Sequence, residues 1–328
     1  MKIILSPAKK MITDTDSIAP DGLPEFIEKT TEIQSWLKSK SKEELKTIWK
    51  CNDKITEQNF NRLENMDLYH LLTPAVLSYE GIAFQYMAPS VFEDSQFEYV
   101  QNHLRILSAF YGVLKPLDGV TPYRLEMQAK VGIGDAKNLY EYWGDMLYCS
   151  VIDNSRIIIN LASKEYSKSI EKYLTLRDKY ITIVFCELSG DKLVTKGTYA
   201  KMARGEMVRF MAENSIENPE DIKKFDRLGY AFRHDLSSDT EYIFERRIEI
   251  TSYKKGTYCR YFFNKVIRFN LKNHYNVRCV KCGEVSGVDV DEISDLIEMI
   301  HDTNGIKYLD YDISFKGICP KCREKVKE

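Results

Sequence analysis

No stretch of this chain approaches the roughly 20 consecutive apolar residues that a membrane-spanning helix requires, so no membrane span is expected. The segment from Met1 to Pro7 holds only a short apolar run, too little for a secretory signal. A cytoplasmic, soluble protein is therefore expected. Strong charge of one sign is also missing: 47 Lys and Arg oppose 49 Asp and Glu, for a net charge of −2 over 328 residues. That balance excludes a protein that binds polyanions by bulk charge, so any nucleic-acid contact should be local. There is no internal repeat and no low-complexity tract.

What is present suits a folded chain of one large domain and a small module. Apolar residues make up 44% of the sequence, enough for a sizeable core. The eight cysteines do not read as disulfides, because a long, unsecreted chain meets reducing conditions. Cys51, Cys149, Cys186 and Cys259 are scattered and read as small buried side chains. The other four form two C-x-x-C pairs.

Along the chain, residues 2–6 read as a short buried strand ended by Pro7. Residues 24–40, 42–51 and 53–66 read as helices, the second opened by a capping box of Ser41 and Glu44. A helix is expected at 95–107 and a Gly/Pro-rich loop at 112–122. Arg156 to Leu161 and Tyr180 to Phe185 are apolar runs of strand length, covered on both faces. Gly190-Asp191 reads as a turn into a strand from Lys192, followed by a helix at 199–213. The expected class is mixed α/β. Three parts follow: a core at 1–247, a basic aromatic linker at 248–275 and a cysteine module at 276–328.

The linker region is distinctive. From Arg246 to Arg278 nine Lys or Arg face one acid, Glu249, with Tyr253, Tyr258, Tyr261 and Phe269 among them. It reads either as a platform for nucleic acid or as a solvated hairpin between two parts.

The module opens with Cys279-x-x-Cys282-Gly283 and closes with Cys319-x-x-Cys322, 36 residues later. Two such knuckles supply four thiolates, and Zn²⁺ accepts four in a tetrahedron. Gly283 permits the tight turn that aims N–H groups at sulfur. Metal binding requires deprotonated thiols and so couples to folding of the module. A structural zinc held by Cys279, Cys282, Cys319 and Cys322 is expected, in the order strand, knuckle, acidic helix (290–303), strand (311–315), knuckle. A redox dithiol and an iron site are the alternatives.

Several core residues could line an anion pocket. Lys9 follows the first strand, and Asn160 and Ser163 follow another, where α/β sheets place ligands. Lys201 and Arg204 share a helix face, with Arg209 nearby. With Arg124 they would be the anion ligands. Glu126, Asp145 and Glu165 would be the carboxylates, free for acid–base work. Such a pocket suits a phosphate backbone or a flipped nucleotide. The competing reading makes these groups buried ion networks that only specify the fold. The carboxylates lack a Glu-x-x-His partner, which argues against an iron site.

Seven segments carry a likeness. They are Leu5-Ser-Pro-Ala-Lys9, His103-Leu-Arg105, Tyr111-Gly-Val-Leu-Lys-Pro116-Leu-Asp118, Pro122-Tyr-Arg124-Leu-Glu126-Met127, Leu139-Tyr-Glu-Tyr-Trp143-Gly-Asp145, Asn160-Leu-Ala-Ser163-x-Glu165-Tyr166 and Ala200-Lys201-x-Ala-Arg204-Gly-x-x-x-Arg209. In this order and spacing the chain resembles the YaaA family of peroxide stress proteins over residues 1–247. The resemblance implies the family's own α/β fold with a helical hairpin, a positively charged cleft, DNA binding, and a role in limiting free iron and oxidative damage. Lys10 and Gln128 depart from the family pattern, and the hairpin at 41–66 has no glycine at its turn.

The tail resembles a different family. His274-Tyr275, the first knuckle, and Phe315-x-Gly317-x-Cys319-x-x-Cys322 are similar to the zinc-binding dimerisation domain of ferric uptake regulators, PerR above all. That resemblance implies a homodimer. Asn276 and Gly287 replace the second His and the Asp of that family's sensing site, leaving His274 alone. The leading expectation is a DNA-binding stress protein. The alternatives are a DNA-lesion lyase or glycosylase using Lys9 as Schiff-base nucleophile, and a metal-responsive regulator.

Overall fold

The computed structural model describes residues 1–189, 192–246 and three strands at 274–279, 285–289 and 314–317. The chain divides into two units, Met1–Ile248 and Glu249–Glu328.

The first unit begins with β1 (Lys2–Leu5), whose Ile3, Ile4 and Leu5 are fully buried. Three helices follow: α1 (Ile27–Lys38), α2 (Lys42–Trp49) and α3 (Asp53–Glu64). The Ser41 hydroxyl accepts from the Glu44 N–H, and the Glu44 carboxylate accepts from the Ser41 N–H, so the expected capping box starts α2. Between α2 and α3 the chain turns at Lys50, with φ 46° and ψ 55°. A lysine here takes the left-handed conformation that a glycine would adopt without strain.

Short elements β2 (Thr73–Pro74), α4 (Ala75–Ser78) and α5 (Ile82–Met87) lead to α6 (Asp94–His103). The helix expected at 95–107 stops at His103, where β3 (Leu104–Ser108) begins. Leu-Arg-Ile-Leu-Ser is buried throughout; pairing with β1 on one side and β4 on the other overrides helical periodicity. The stretch expected as a loop at 112–122 contains β4 (Gly112–Leu114) and β5 (Gly119–Val120). Next come α7 (Leu139–Trp143), α8 (Met146–Val151), β6 (Ile157–Asn160) and α9 (Lys164–Glu171). The unit closes with β7 (Lys179–Ser189), β8 (Lys192–Val194), α10 (Gly197–Glu213), α11 (Pro219–Ile222), β9 (Tyr230–Phe232) and β10 (Glu241–Arg246).

These strands make one sheet ordered β4-β3-β1-β6-β7-β10-β9, with β8 paired to β7. Strands β3, β1, β6, β7 and β10 run parallel, each beside the next. Parallel strands need covered faces, which explains the uninterrupted apolar runs of β1 and β6. Helices supply the cover. The α10–α5 contact is close: a Cβ on Gly205 would overlap the carbonyl of Ala83.

In the second unit, β11 (His274–Cys279) pairs antiparallel with β12 (Val285–Asp289) and parallel with β13 (Ser314–Gly317). The strand expected at 311–315 is observed at 314–317, and β12 was not expected from the sequence. The turn at 190–191, most of the linker, the acidic helix expected at 290–303, and Cys282, Cys319 and Cys322 lie outside the described residues.

Candidate functional site

The chain leaves β1 for β3 on one side of it, and leaves β6 for β7 on the other. Connections that depart in opposite directions open a crevice outside the carboxyl ends of the two strands, where α/β sheets hold ligands. Here those strands are β1 and β6, in register with Ile4 opposite Asn160. Their loops are stitched together: the Ser163 N–H donates to Ser6 Oγ at 2.8 Å, and the two hydroxyls lie 3.1 Å apart. Ser163 immediately precedes α9 but does not cap it with its side chain. The serine is used between loops instead.

Above this stitch sits an ion cluster. Glu126 Oε1 meets Lys9 Nζ at 2.7 Å and Arg124 Nη2 at 3.2 Å. One carboxylate thus balances two cations, and the cluster carries one net positive charge. Lys9 is 65% exposed at its side chain, whereas Arg124 is 13% exposed. Arg124 Nε is sealed from solvent and has no hydrogen-bond partner among the described residues. The Lys9 loop is held by α5 and its lead-in: Lys10 pairs with Glu80 at 2.8 Å, and Gly81 leaves no room for a Cβ against Ala8. Glu165 accepts from the Gln128 N–H at 3.2 Å, and its carbonyl accepts from the Tyr140 hydroxyl at 2.7 Å.

At the carboxyl end of β3 lies a buried chain of hydroxyls. Ser108 Oγ is 2.7 Å from the Tyr123 hydroxyl, which is 2.9 Å from that of Tyr79. Burial pushes the Tyr123 phenol up to about 12 and Tyr79 well above its ordinary range. These phenols stay neutral and work as donors and acceptors that tie the end of β3 to the segments carrying Tyr79 and Tyr123. Sequence reasoning missed Ser6, Ser108, Tyr79 and Tyr123, because their partners are 15 to 157 residues away in the chain.

The other expected site residues divide. Asn160 is 4% exposed, and its Oδ1 accepts from the Ala162 N–H at 2.9 Å, so it shapes the loop after β6. Arg204 is half-buried on α10. Lys201 is exposed on the same helix. Arg209 is already engaged: its Nε donates to Glu213 at 2.7 Å, and Glu213 also binds Arg227 at 2.5 Å. For Arg209 the fold-specifying network is the better description. Asp145 is exposed at the start of α8 and makes no side-chain contact with the Glu126 cluster.

Sheet order defines an α/β protein with a topological switch point between β1 and β6. The sequence comparisons are more specific. The family described as peroxide stress protein YaaA matches residues 1–236. A UPF0246 protein of Agathobacter rectalis is 84% identical over 248 residues, which is 76% of this chain and 100% of the relative. UPF0246 proteins of Lachnoclostridium phytofermentans and Desulfitobacterium hafniense are 54% and 52% identical over 244 residues, 74% of this chain and 96% and 97% of theirs. The chain belongs to the YaaA family of peroxide stress proteins.

Proposed function

We propose that the core acts in the peroxide stress response by binding nucleic-acid phosphates in the crevice between the β1 and β6 loops. The observation that carries this is the convergence of Lys9 and Arg124 on one oxygen of Glu126. Two cations from distant parts of the sequence share a single carboxylate at the position where α/β sheets hold ligands. A phosphate could displace Glu126 and take bonds from both, Arg124 through its planar fork. Covering DNA in this way would limit oxidative damage. Among the described residues no three His, Cys, Asp or Glu side chains group as a metal site, so the reading assigns iron limitation no site there.

The test is fluorescence anisotropy of a labelled duplex across a salt series. The wild type should show a steep salt slope, and K9M/R124M should lose affinity and reduce the slope by about two. Binding that is independent of salt, or unaffected by K9M/R124M, contradicts the proposal. The enzymatic alternative uses Lys9 as a Schiff-base nucleophile. Borohydride trapping of a DNA adduct that K9M abolishes would favour it.

A second proposal concerns the tail. Strands β11 and β13 are parallel, with Cys279 opposite Gly317. The described ends of β11 and β13, at Cys279 and Gly317, lie at one end of a small sheet, and Cys282, Cys319 and Cys322 follow within five residues in the sequence, which supports one Zn²⁺ shared by four thiolates. The module is read as joining two chains in a homodimer. Native mass spectrometry should give one zinc per chain and a dimer, with both lost in C279S/C319S.

A further inference from the structure

Arginine does not shed its proton in a protein, so a guanidinium removed from water needs an acceptor or a counter-charge. The core shows how consistently that need is met. Nine arginines are buried or half-buried among the described residues. Arg62 and Arg105 donate to main-chain carbonyls. Six others each meet a carboxylate, as Arg156 meets Asp178 at 2.6 Å. Arg204 is the exception. It has no hydrogen bond or ion pair with any described residue, and its Nε is sealed from solvent. Burial pulls this guanidinium below its usual range, with no neighbouring acid opposing the shift.

Its main chain is placed by a close helix contact. Gly205 lets α10 rest on the carbonyl of Ala83 in α5, and two residues earlier Gly81 rests against Ala8 in the Lys9 loop. The main chain next to Arg204 and the Lys9 loop therefore both adjoin the start of α5. A half-buried cation held there without a described protein partner is open to an anion from solvent.

We propose that Arg204 is the inner ligand of a phosphate group that enters beside the first turn of α5. The proposal rests on the anion-crevice reading and deepens it by naming a phosphate ester as the group bound and Arg204 as the residue that holds it. The fork of the guanidinium takes two phosphate oxygens, and Lys201, exposed one turn earlier on α10, meets the outer face. The phosphate supplies the charge the fold withholds. Removing Arg204 should then cost the empty protein little, because it takes away a desolvated charge rather than a bonded one.

The experiment uses the full chain in thermal unfolding, with inorganic phosphate titrated against chloride at constant ionic strength. Wild type should be stabilised by phosphate. R204M should unfold at the same or a higher temperature without phosphate and lose the phosphate shift, with affinity down at least about tenfold. R204K should keep part of it. A phosphate shift that survives in R204M overturns the proposal. So does an R204M protein that unfolds several degrees earlier without phosphate, which would make Arg204 structural. A nucleoside monophosphate and a short duplex distinguish the source. Protection by the mononucleotide assigns a free ester, and protection by the duplex alone assigns a nucleic-acid backbone. No protection by phosphate, mononucleotide or duplex overturns the inference. Duplex binding untouched by K9M/R124M would instead fail the crevice reading, while an Arg204-dependent phosphate shift would stand.

Discussion

The core and the tail specify structure by different means. The core places strand after strand in a buried parallel sheet, closes it with aromatic contacts such as Phe185 against Phe244, and satisfies its buried arginines with few exceptions. Its matches to relatives cover 96 to 100% of their lengths but 74 to 76% of this chain. The family match ends at residue 236, before the tail. Its described strands are four to six residues long, and its cysteines come in pairs. The difference teaches that the first unit is held by an extensive buried core, whereas the second, if the proposal for its paired cysteines holds, depends on a metal.

The sharpest way to break the comparison is to challenge the zinc proposed for the tail. Zinc contributes on the order of 10 kcal/mol to small thiolate modules. A zinc chelator should abolish amide protection in 274–279 and 314–317 while β1 and β6 keep theirs, as read by hydrogen exchange. Loss of core protection as well would end the idea that the two parts stand independently.

The converse test strikes the core. In Gly205→Ala the new methyl overlaps the Ala83 carbonyl, so α10 and α5 must separate. A loss of about 3 kcal/mol is expected in urea unfolding, with zinc content unchanged.

Asp118 gives a smaller, pH-dependent effect. Burial raises its carboxyl from 3.8 to about 6, against the Lys115 N–H it accepts. The folded state therefore holds this proton more tightly than the unfolded state. Its stabilising contribution is complete below the unfolded value and is lost as pH rises through about 6. Asp118→Asn can keep the bond without the charge. It should gain about 2 kcal/mol above that pH and nothing near pH 4, measured by denaturant unfolding at both.

The smallest effect concerns Glu126. Glu126→Gln leaves Lys9 and Arg124 without their shared carboxylate, so duplex affinity should rise a few-fold at low salt and converge with wild type at high salt. Weakened binding would mean that Glu126 orders the cations rather than competing with the ligand.

Much of the core was legible beforehand. The strands at β1, β6 and β7 follow from apolar runs, and the start of α2 from Ser41 and Glu44. The segment after His103 was not legible, because Leu-Arg-Ile-Leu fits a helix face until β1 and β4 are in place on either side. Lys9, Arg124 and Glu126 could be named as charged residues near strand ends. That one carboxylate oxygen joins them could not, since Lys9 is over a hundred residues from the other two.

By itself the sequence determined the mixed α/β class, the paired knuckle cysteines and the family, because continuous apolar runs, fixed spacings and ordered motifs are local properties of the chain. The tertiary structure decided which strands are neighbours, that β1 and β6 frame the crevice, that Arg209 is bound to Glu213, and that Arg204 has no such partner among the described residues. Those outcomes depend on contacts between segments far apart in the chain. A charge is a site or a strut according to what the fold brings beside it.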